Sequence, residues 1–238
     1  MSREMTDKPT FSFSAVASGF DEHISTSIRG YNHLRDDVVG ISKHFVIDDT
    51  NVVDIGCSAG TMLKRIKDAN TQAPNASYVG IEINKDFIPH WVEEPNLKYK
   101  VEDVRNSEEL SNMSLAISLF TFQFIAERDR LALLKKIYDN LEDGGAFITA
   151  EKIYSQNAKV QNMFEFLYYD YKKKNFSEKE ILDKEQELRH LAKLTTENHL
   201  MRTLKGIGFR GIQTFWRNHN FIGVLAMKRP ADGFDEDE

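Results

Sequence analysis

Three acids stand at the carboxyl ends of three short apolar runs. Asn51-Val52-Val53-Asp54-Ile55 leads into Gly56-Cys57-Ser58-Ala59-Gly60, Ser77-Tyr78-Val79-Gly80-Ile81 leads into Glu82, and Leu97 to Val101 leads into Glu102-Asp103-Val104. Such runs read as strands, and the segment after Asp54 reads as a tight loop opening a helix over Thr61 to Asp68. Gly56 and Gly60 permit backbone conformations and close contacts that a side chain forbids, and the first N–H groups of the helix have no partner within it, so the loop is suited to sit against a ligand. In the G-x-G-x-x-G arrangement those groups cradle a pyrophosphate. Here the order is D-x-G-x-x-x-G, and an acid before the first glycine repels phosphate but accepts hydrogen bonds from an ammonium or hydroxyl group. Glu82, about 20 residues past the loop, is then in place for ribose hydroxyls, and Asp103 for an adenine amino group. The alternative is an ordinary strand-to-helix glycine turn, with acids that merely solvate strand ends in a chain holding 37 Asp and Glu residues.

These acids need a sheet to bring them together. Strand and helix signals alternate from Asn51 to about Glu151, which implies a parallel sheet with crossover helices. Ser114 to Phe120 is expected as a fourth strand, Arg128 to Leu141 as a helix stopped by Gly144-Gly145, and Ala146 to Ala150 as a fifth strand. Upstream, Phe20 to Phe45 reads as helix broken around Arg29-Gly30-Tyr31. Residues 157–204 read as nearly all helix, with Phe164, Phe166, Leu167, Tyr168 and Tyr171 crowded together as core, lid or dimer face. Gly211 to Trp216 and Phe221 to Met227, joined by Arg217-Asn218-His219-Asn220, form an expected hairpin.

The 238 residues, 41% hydrophobic and 29% charged, suit one soluble domain over 20–228 with an elaboration at about 157–204. A mobile N-terminal segment (1–19) and an acidic disordered tail (229–238) are expected to flank it. No apolar run approaches the roughly 18 residues needed to span a bilayer, and Met1 to Thr10 lacks an apolar signal core; a cytoplasmic protein with no membrane partner is expected. The single cysteine, Cys57, rules out an internal disulfide framework and suits the loop as a small apolar residue. The seven histidines fall in no metal-ligand spacing. A net charge of −6 argues against a surface that grips nucleic acid, and the one dense basic run, Lys172-Lys173-Lys174, is expected as the solvated end of a helix.

Asp54-x-Gly56-x-x-x-Gly60 resembles motif I of the class I S-adenosylmethionine (SAM) dependent methyltransferases, whose cofactor carries an amino-acid tail and no phosphate. A narrower resemblance, to the carboxy-S-adenosylmethionine (carboxy-SAM) synthase family, covers most of Phe20 to Lys228. It is carried by Gly30-Tyr31, Asp54 to Ser58, Phe120-Thr121-Phe122-Gln123-Phe124, Lys136-Ile137-Tyr138, Gly144-Gly145-Ala146, Glu151-Lys152, Ala158-Lys159-Val160 and Asn220-Phe221. The resemblance implies a Rossmann-like methyltransferase fold with a mostly parallel seven-stranded sheet, a C-terminal β-hairpin and a helical insertion. It also implies bound SAM or carboxy-SAM, prephenate as the carboxyl source, a homodimer, and a product used on the wobble uridine of tRNA.

Residue by residue, the resemblance makes Tyr31 a contact to the cofactor's tail that also orients the new carboxylate. Gly56, Cys57 and Ser58 become loop contacts beside Asp54, Glu82 with Ile83 the ribose site, and Asp103 with Val104 the adenine site. Leu119 lies beside the cofactor where related enzymes carry asparagine. An arginine of the late helix pairs with the extra carboxylate; Arg202 is the candidate, although counting back from Gly208-Phe209 places the family's arginine on Thr203. Two other readings stand beside the synthase: a SAM-dependent methyltransferase acting on a small molecule or RNA, and a SAM-binding module without turnover.

Overall fold

The computed structural model describes residues 19–229. Apart from Gly19 and Arg229, the segment expected to be mobile and the acidic tail lie outside the described residues. Five parallel strands, β1 (Asn51–Ile55), β2 (Ser77–Glu82), β3 (Leu97–Val101), β4 (Met113–Leu119) and β5 (Leu141–Tyr154), are followed by a two-residue strand β6 (Thr195–Thr196) and the hairpin β7 (Arg210–Asn218) and β8 (Phe221–Met227). The order across the sheet is β3-β2-β1-β4-β5-β8-β7. β8 runs antiparallel to both neighbours, which gives the expected seven strands, and β6 adds an eighth by pairing Thr195 with Ile153 at the far end of β5.

The central strands β1, β2 and β4 are buried nearly throughout because both faces are covered, whereas the edge strands β3 and β7 alternate with exposed residues. On one face Val52, Leu115 and Ile117 pack with Leu34 and Val38 of α2 (Tyr31–Ser42) and Leu63 and Ile66 of α3 (Thr61–Ala69), and the half-buried Ile24 of α1 (Phe20–Ser27) packs against this cluster. On the other, Val53, Ile55 and Ala116 pack with Leu133, Ile137 and Leu204 from α4 (Glu127–Asn140) and a late helix (Glu197–Ile207). Neighbours in the chain leave β1 in opposite directions, toward β2 and toward β4, and such a switch point opens a crevice at the carboxyl ends of the strands.

The insertion consists of α5 (Ala158–Lys172), α6 (Glu178–Leu188) and the late helix, α7. Asn157 caps α5 by accepting from the Lys159 and Val160 N–H groups, and Ser177 with Glu180 forms a reciprocal capping box on α6. The Tyr171 hydroxyl donates to the Ser25 carbonyl at 2.9 Å, tying the insertion to α1. Together α1, α5 and α6 form a roof over the carboxyl ends of the sheet.

Two boundaries differ from expectation. α4 ends at Asn140 without waiting for the glycine pair, and Leu141 already pairs with Met113 as the first residue of β5. Gly145 serves strand packing: a Cβ there would lie 3.0 Å from the Ser114 carbonyl oxygen and 2.9 Å from that of Glu142. β4 ends at Leu119 because Phe120 turns into the left-handed region, φ 59°, which directs the chain out of the sheet and its ring into the crevice.

Candidate functional site

A cavity of about 790 Å³ occupies the crevice between the strand ends and the roof. Its floor begins at the loop after β1. Gly56 and Gly60 both have positive φ, +75° and +77°, and a Cβ would come within 2.2 Å of Thr121 Oγ1 at Gly56 and 2.4 Å of the Tyr99 ring at Gly60. The Gly56 and Cys57 N–H groups donate to the Ile81 carbonyl, and Gly60 N–H donates back to Cys57. Trp91 stacks on Tyr99 at 5.3 Å and its Nε1–H donates to the Ser58 carbonyl at 2.8 Å. Held from beneath in this way, the loop is shaped before any ligand arrives.

Asp54 lies at the base of the cavity, 3% exposed. No cation, N–H or O–H group of the described residues bonds its carboxylate. Burial, and then the neighbouring Glu82, push its carboxyl up to about 7. Glu82 accepts from the Ser58 N–H at 3.1 Å and the Asn84 N–H at 2.9 Å; burial raises its carboxyl while these backbone donors oppose the rise. A buried, unpartnered carboxylate beside a second one is costly unless a cation joins it. The residues present therefore fit the ammonium of an amino-acid tail. Cys57 is buried and its thiol is pushed well up, by burial first and then by Asp54 and Glu82, the opposite of what a nucleophilic thiolate needs.

The remaining expected residues divide. Tyr31, Gly56, Cys57, Ser58, Glu82, Ile83, Asp103, Val104 and Leu119 all line the cavity with Asp54. Tyr31 is buried at the start of α2, with burial raising its hydroxyl, and lies 6.3 Å from the Phe120 ring. Ile83 is 69% exposed at the rim. Asp103 is folded back on Arg105, accepting from its backbone N–H at 3.0 Å and from Nε and Nη2, and this pairing lowers its carboxyl. Arg202 is not brought to the cavity. It lies exposed on α7, with Nε donating to the Asn198 carbonyl at 3.1 Å, while the opposite side of that helix buries Leu204.

The basic run departs from expectation. Lys173 and Lys174 are exposed, but Lys172 is 5% exposed and lines the roof of the cavity, because the last turn of α5 points inward over Tyr168. Lys152 and Lys184 line the same cavity. Lys152 belongs to a segment singled out from sequence, as Lys172 does, whereas Lys184 belongs to none of the motifs named there. Glu151, its neighbour, is buried, accepts from the Gln123 N–H at 3.0 Å, and has its carboxyl pushed up to about 8 by burial; it fixes the turn that follows β4. The aromatic segment also divides. Tyr168 faces the cavity, whereas Phe166 and Leu167, 61% and 41% exposed, face outward.

Comparison with known proteins accords with this geometry. A methyltransferase-domain family matches residues 53–147, a span that runs from within β1 through the loop and β2 to β4 into the first half of β5. A carboxy-SAM synthase of Staphylococcus epidermidis is 33% identical over 223 residues, 92% of this chain and 96% of that protein. One of Shewanella piezotolerans is 34% identical over 221 residues, 90% of each. Among solved structures, magnesium protoporphyrin IX methyltransferase of Synechocystis with bound S-adenosylhomocysteine (SAH) superposes with a TM-score of 0.59 at 12% identity, over 91% of this chain and 96% of that one. Human N-acetylserotonin methyltransferase in complex with SAM gives 0.54 at 18%, over 91% of this chain and 59% of that longer one; at these identities the likeness concerns the fold. SAM or carboxy-SAM is the cofactor or substrate, and an enzyme replaces the reading of a module without turnover. The chain belongs to the carboxy-SAM synthase family, SAM-dependent transferases on the class I methyltransferase fold.

Proposed function

We propose that the protein converts SAM to carboxy-SAM, with prephenate as the carboxyl source. One observation carries the reading: Tyr31, Asp54, Ser58, Phe120, Gln123, Lys152 and Phe221, drawn from separate segments that match the synthase pattern, border a single cavity. The sulfonium-activated methyl group of SAM would give up one proton and take in its place the carbon dioxide that prephenate releases as its ring aromatises with loss of hydroxide, the proton and hydroxide leaving as water. Asp54 accepts from the ammonium of the amino-acid tail, and Glu82, with Ile83 beside it, takes the ribose hydroxyls on the lone pairs its backbone donors leave free. Val104 packs against the adenine, and Asp103, kept ionised by Arg105, accepts from its amino group. Tyr31, Leu119 and the Phe120 ring close the space around the reacting carbon and exclude water, so that positioning and a dry, charge-complementary site do most of the work.

The domain spans 20–228, acts in the cytoplasm, and its product serves as the carboxymethyl donor for tRNA wobble uridine. We infer a homodimer from the family and from the outward apolar side chains Met163, Phe166 and Leu167 on α5; Arg202, remote from its own cavity, would then serve the neighbouring copy. A second reading, a methyltransferase using plain SAM on another acceptor, is favoured by Leu119 in place of asparagine and by the position of Arg202. Mass measurement of the ligand released on gentle denaturation separates the two: a SAM derivative heavier by one carboxyl group supports the synthase, and plain SAM together with no turnover of prephenate supports the alternative. Arg202→Ala is expected to reduce retention of the carboxylated ligand more than that of SAM, and equal losses would remove its assigned role.

A further inference from the structure

Arg35, on α2, is 9% exposed and is the only arginine buried among the described residues. Its Nη2 donates to the Thr61 hydroxyl at 3.0 Å and lies 3.3 Å from the Asp21 carboxylate, and the Thr61 hydroxyl donates in turn to the same Asp21 oxygen. The guanidinium stands over the Tyr31 ring, 5.5 Å from its centre. Asp21, Thr61 and Tyr31, the side chains that meet Arg35, all line the cavity, as Asp54 does. Nη2 alone is engaged among the described residues, and Nε is buried without a partner. A guanidinium is a planar fork of donors that grips a carboxylate with two parallel bonds, yet the acid within reach is held at a single nitrogen. Burial raises the Tyr31 hydroxyl, Asp21 and Asp54 raise it further, and Arg35 and Arg65 oppose them; the guanidinium and the unpartnered Asp54 carboxylate thus act on one hydroxyl.

We infer that Asp21 holds the place of a ligand carboxylate: Arg35 and Thr61 form the site for the α-carboxylate of the SAM amino-acid tail, and Asp21 fills it in the ligand-free protein. This rests on the SAM-binding reading of the floor and supplies its cationic half. An α-amino acid carries an ammonium and a carboxylate on one carbon, and Asp54 answers only the first. The arriving carboxylate takes Nη2 together with the idle Nε, and the Asp21 side chain, already 30% exposed, turns to solvent. α1 stays in place through Ser25, His23 and Phe20, which meet Tyr171, Phe176 and Phe87, so rotation of one side chain suffices. An internal competitor lowers apparent affinity according to the fraction of protein whose site is free. It also sharpens selection, because an adenosine compound without the carboxylate gains nothing from Arg35.

The test is calorimetry on the full chain with two probes, SAH and decarboxylated SAH, which keeps the ammonium and lacks the carboxylate. Arg35→Met should weaken SAH at least about tenfold, the loss of a charge-assisted pair, and decarboxylated SAH by less than about threefold. Asp21→Asn should tighten SAH by about three- to tenfold, since the competitor is removed, without tightening decarboxylated SAH. Equal losses of both ligands in Arg35→Met overturn the site, because a general packing role produces them. Weaker SAH binding in Asp21→Asn overturns it as well, because Asp21 would then assist the ligand instead of competing with it. Should Arg35→Met fail to fold, Thr61→Val decides: a loss confined to SAH supports the site, and an equal loss or no change overturns it. Arg35-dependent binding of SAH without turnover of prephenate would retain the site and remove the synthase assignment; turnover of prephenate with SAH affinity indifferent to Arg35 would do the reverse.

Discussion

The floor and the roof of the cavity are made from different kinds of structure. Asp54 and Glu82 end strands whose neighbours are buried on both faces of the sheet, and the loop between them is hydrogen-bonded and backed by Tyr99 and Trp91. In the roof, α1 buries no residue, α6 buries only Ile181, and α5 only Lys172. The floor is therefore part of the core, while the roof is held by a few side-chain contacts such as Tyr171 to Ser25 and His23 to Phe176. A rigid half that presents acids suits the constant ligand of a large superfamily, and a lightly anchored half lined by aromatic, apolar and charged side chains suits a second substrate that must enter and leave.

The largest contrast should be in hydrogen exchange. Amides of α1 and α6 are expected to exchange roughly 100-fold or more faster than those of β1 and β4, because local opening of a lightly buried helix costs far less than global unfolding, and SAH with prephenate should slow the roof alone. Equal protection in the two regions would dissolve the distinction. Next in size is Gly60→Ala: the positive φ and the approach to Tyr99 should cost about 2–4 kcal/mol in urea unfolding, whereas Lys179→Ala on the outer side of α6 should stay within about 0.5 kcal/mol.

A third test addresses the floor's charge. Asp54→Asn should weaken SAH by about 10–100-fold, the loss of a charged hydrogen bond, yet leave the ligand-free protein at pH 8 as stable as before or more so, since a buried charge has been removed. The smallest effect is the pH profile. Asp54 at about 7 and Glu151 at about 8 lie above their ordinary values of 3.8 and 4.5. The stability each contributes is fully present below the unfolded value and is lost as pH rises through the folded one, so the ligand-free melting temperature should fall between pH 5 and 8. SAH requires Asp54 ionised, so its affinity should climb toward pH 7 by at most about tenfold per unit and then level off. A flat SAH profile would sharpen the comparison against Asp54 as the ammonium partner.

Much of the floor was legible without coordinates. Asp54, Gly56, Gly60, Glu82 and Asp103 sit at fixed offsets from apolar runs, and a strand end puts its residue at one edge of the sheet whatever lies around it. Phe120 was legible only as part of a matching segment; its left-handed turn follows from where the neighbouring strand stops. Lys172 was misjudged for a related reason. A lysine triplet at a helix end resembles a solvated terminus, and nothing local says that the first of the three faces inward over Tyr168.

Apolar runs, glycine spacing and alternation suffice for the parallel sheet, its hairpin and the acids of the cofactor loop, because strand periodicity and loop geometry act over a few residues. Which helices close over that edge, that Arg202 falls outside its own cavity, and that lysines from β5 and α5 meet over one tyrosine ring were decided by packing between segments of the chain that are separate in sequence. The burial and charge of such a cluster exist only once those segments have docked.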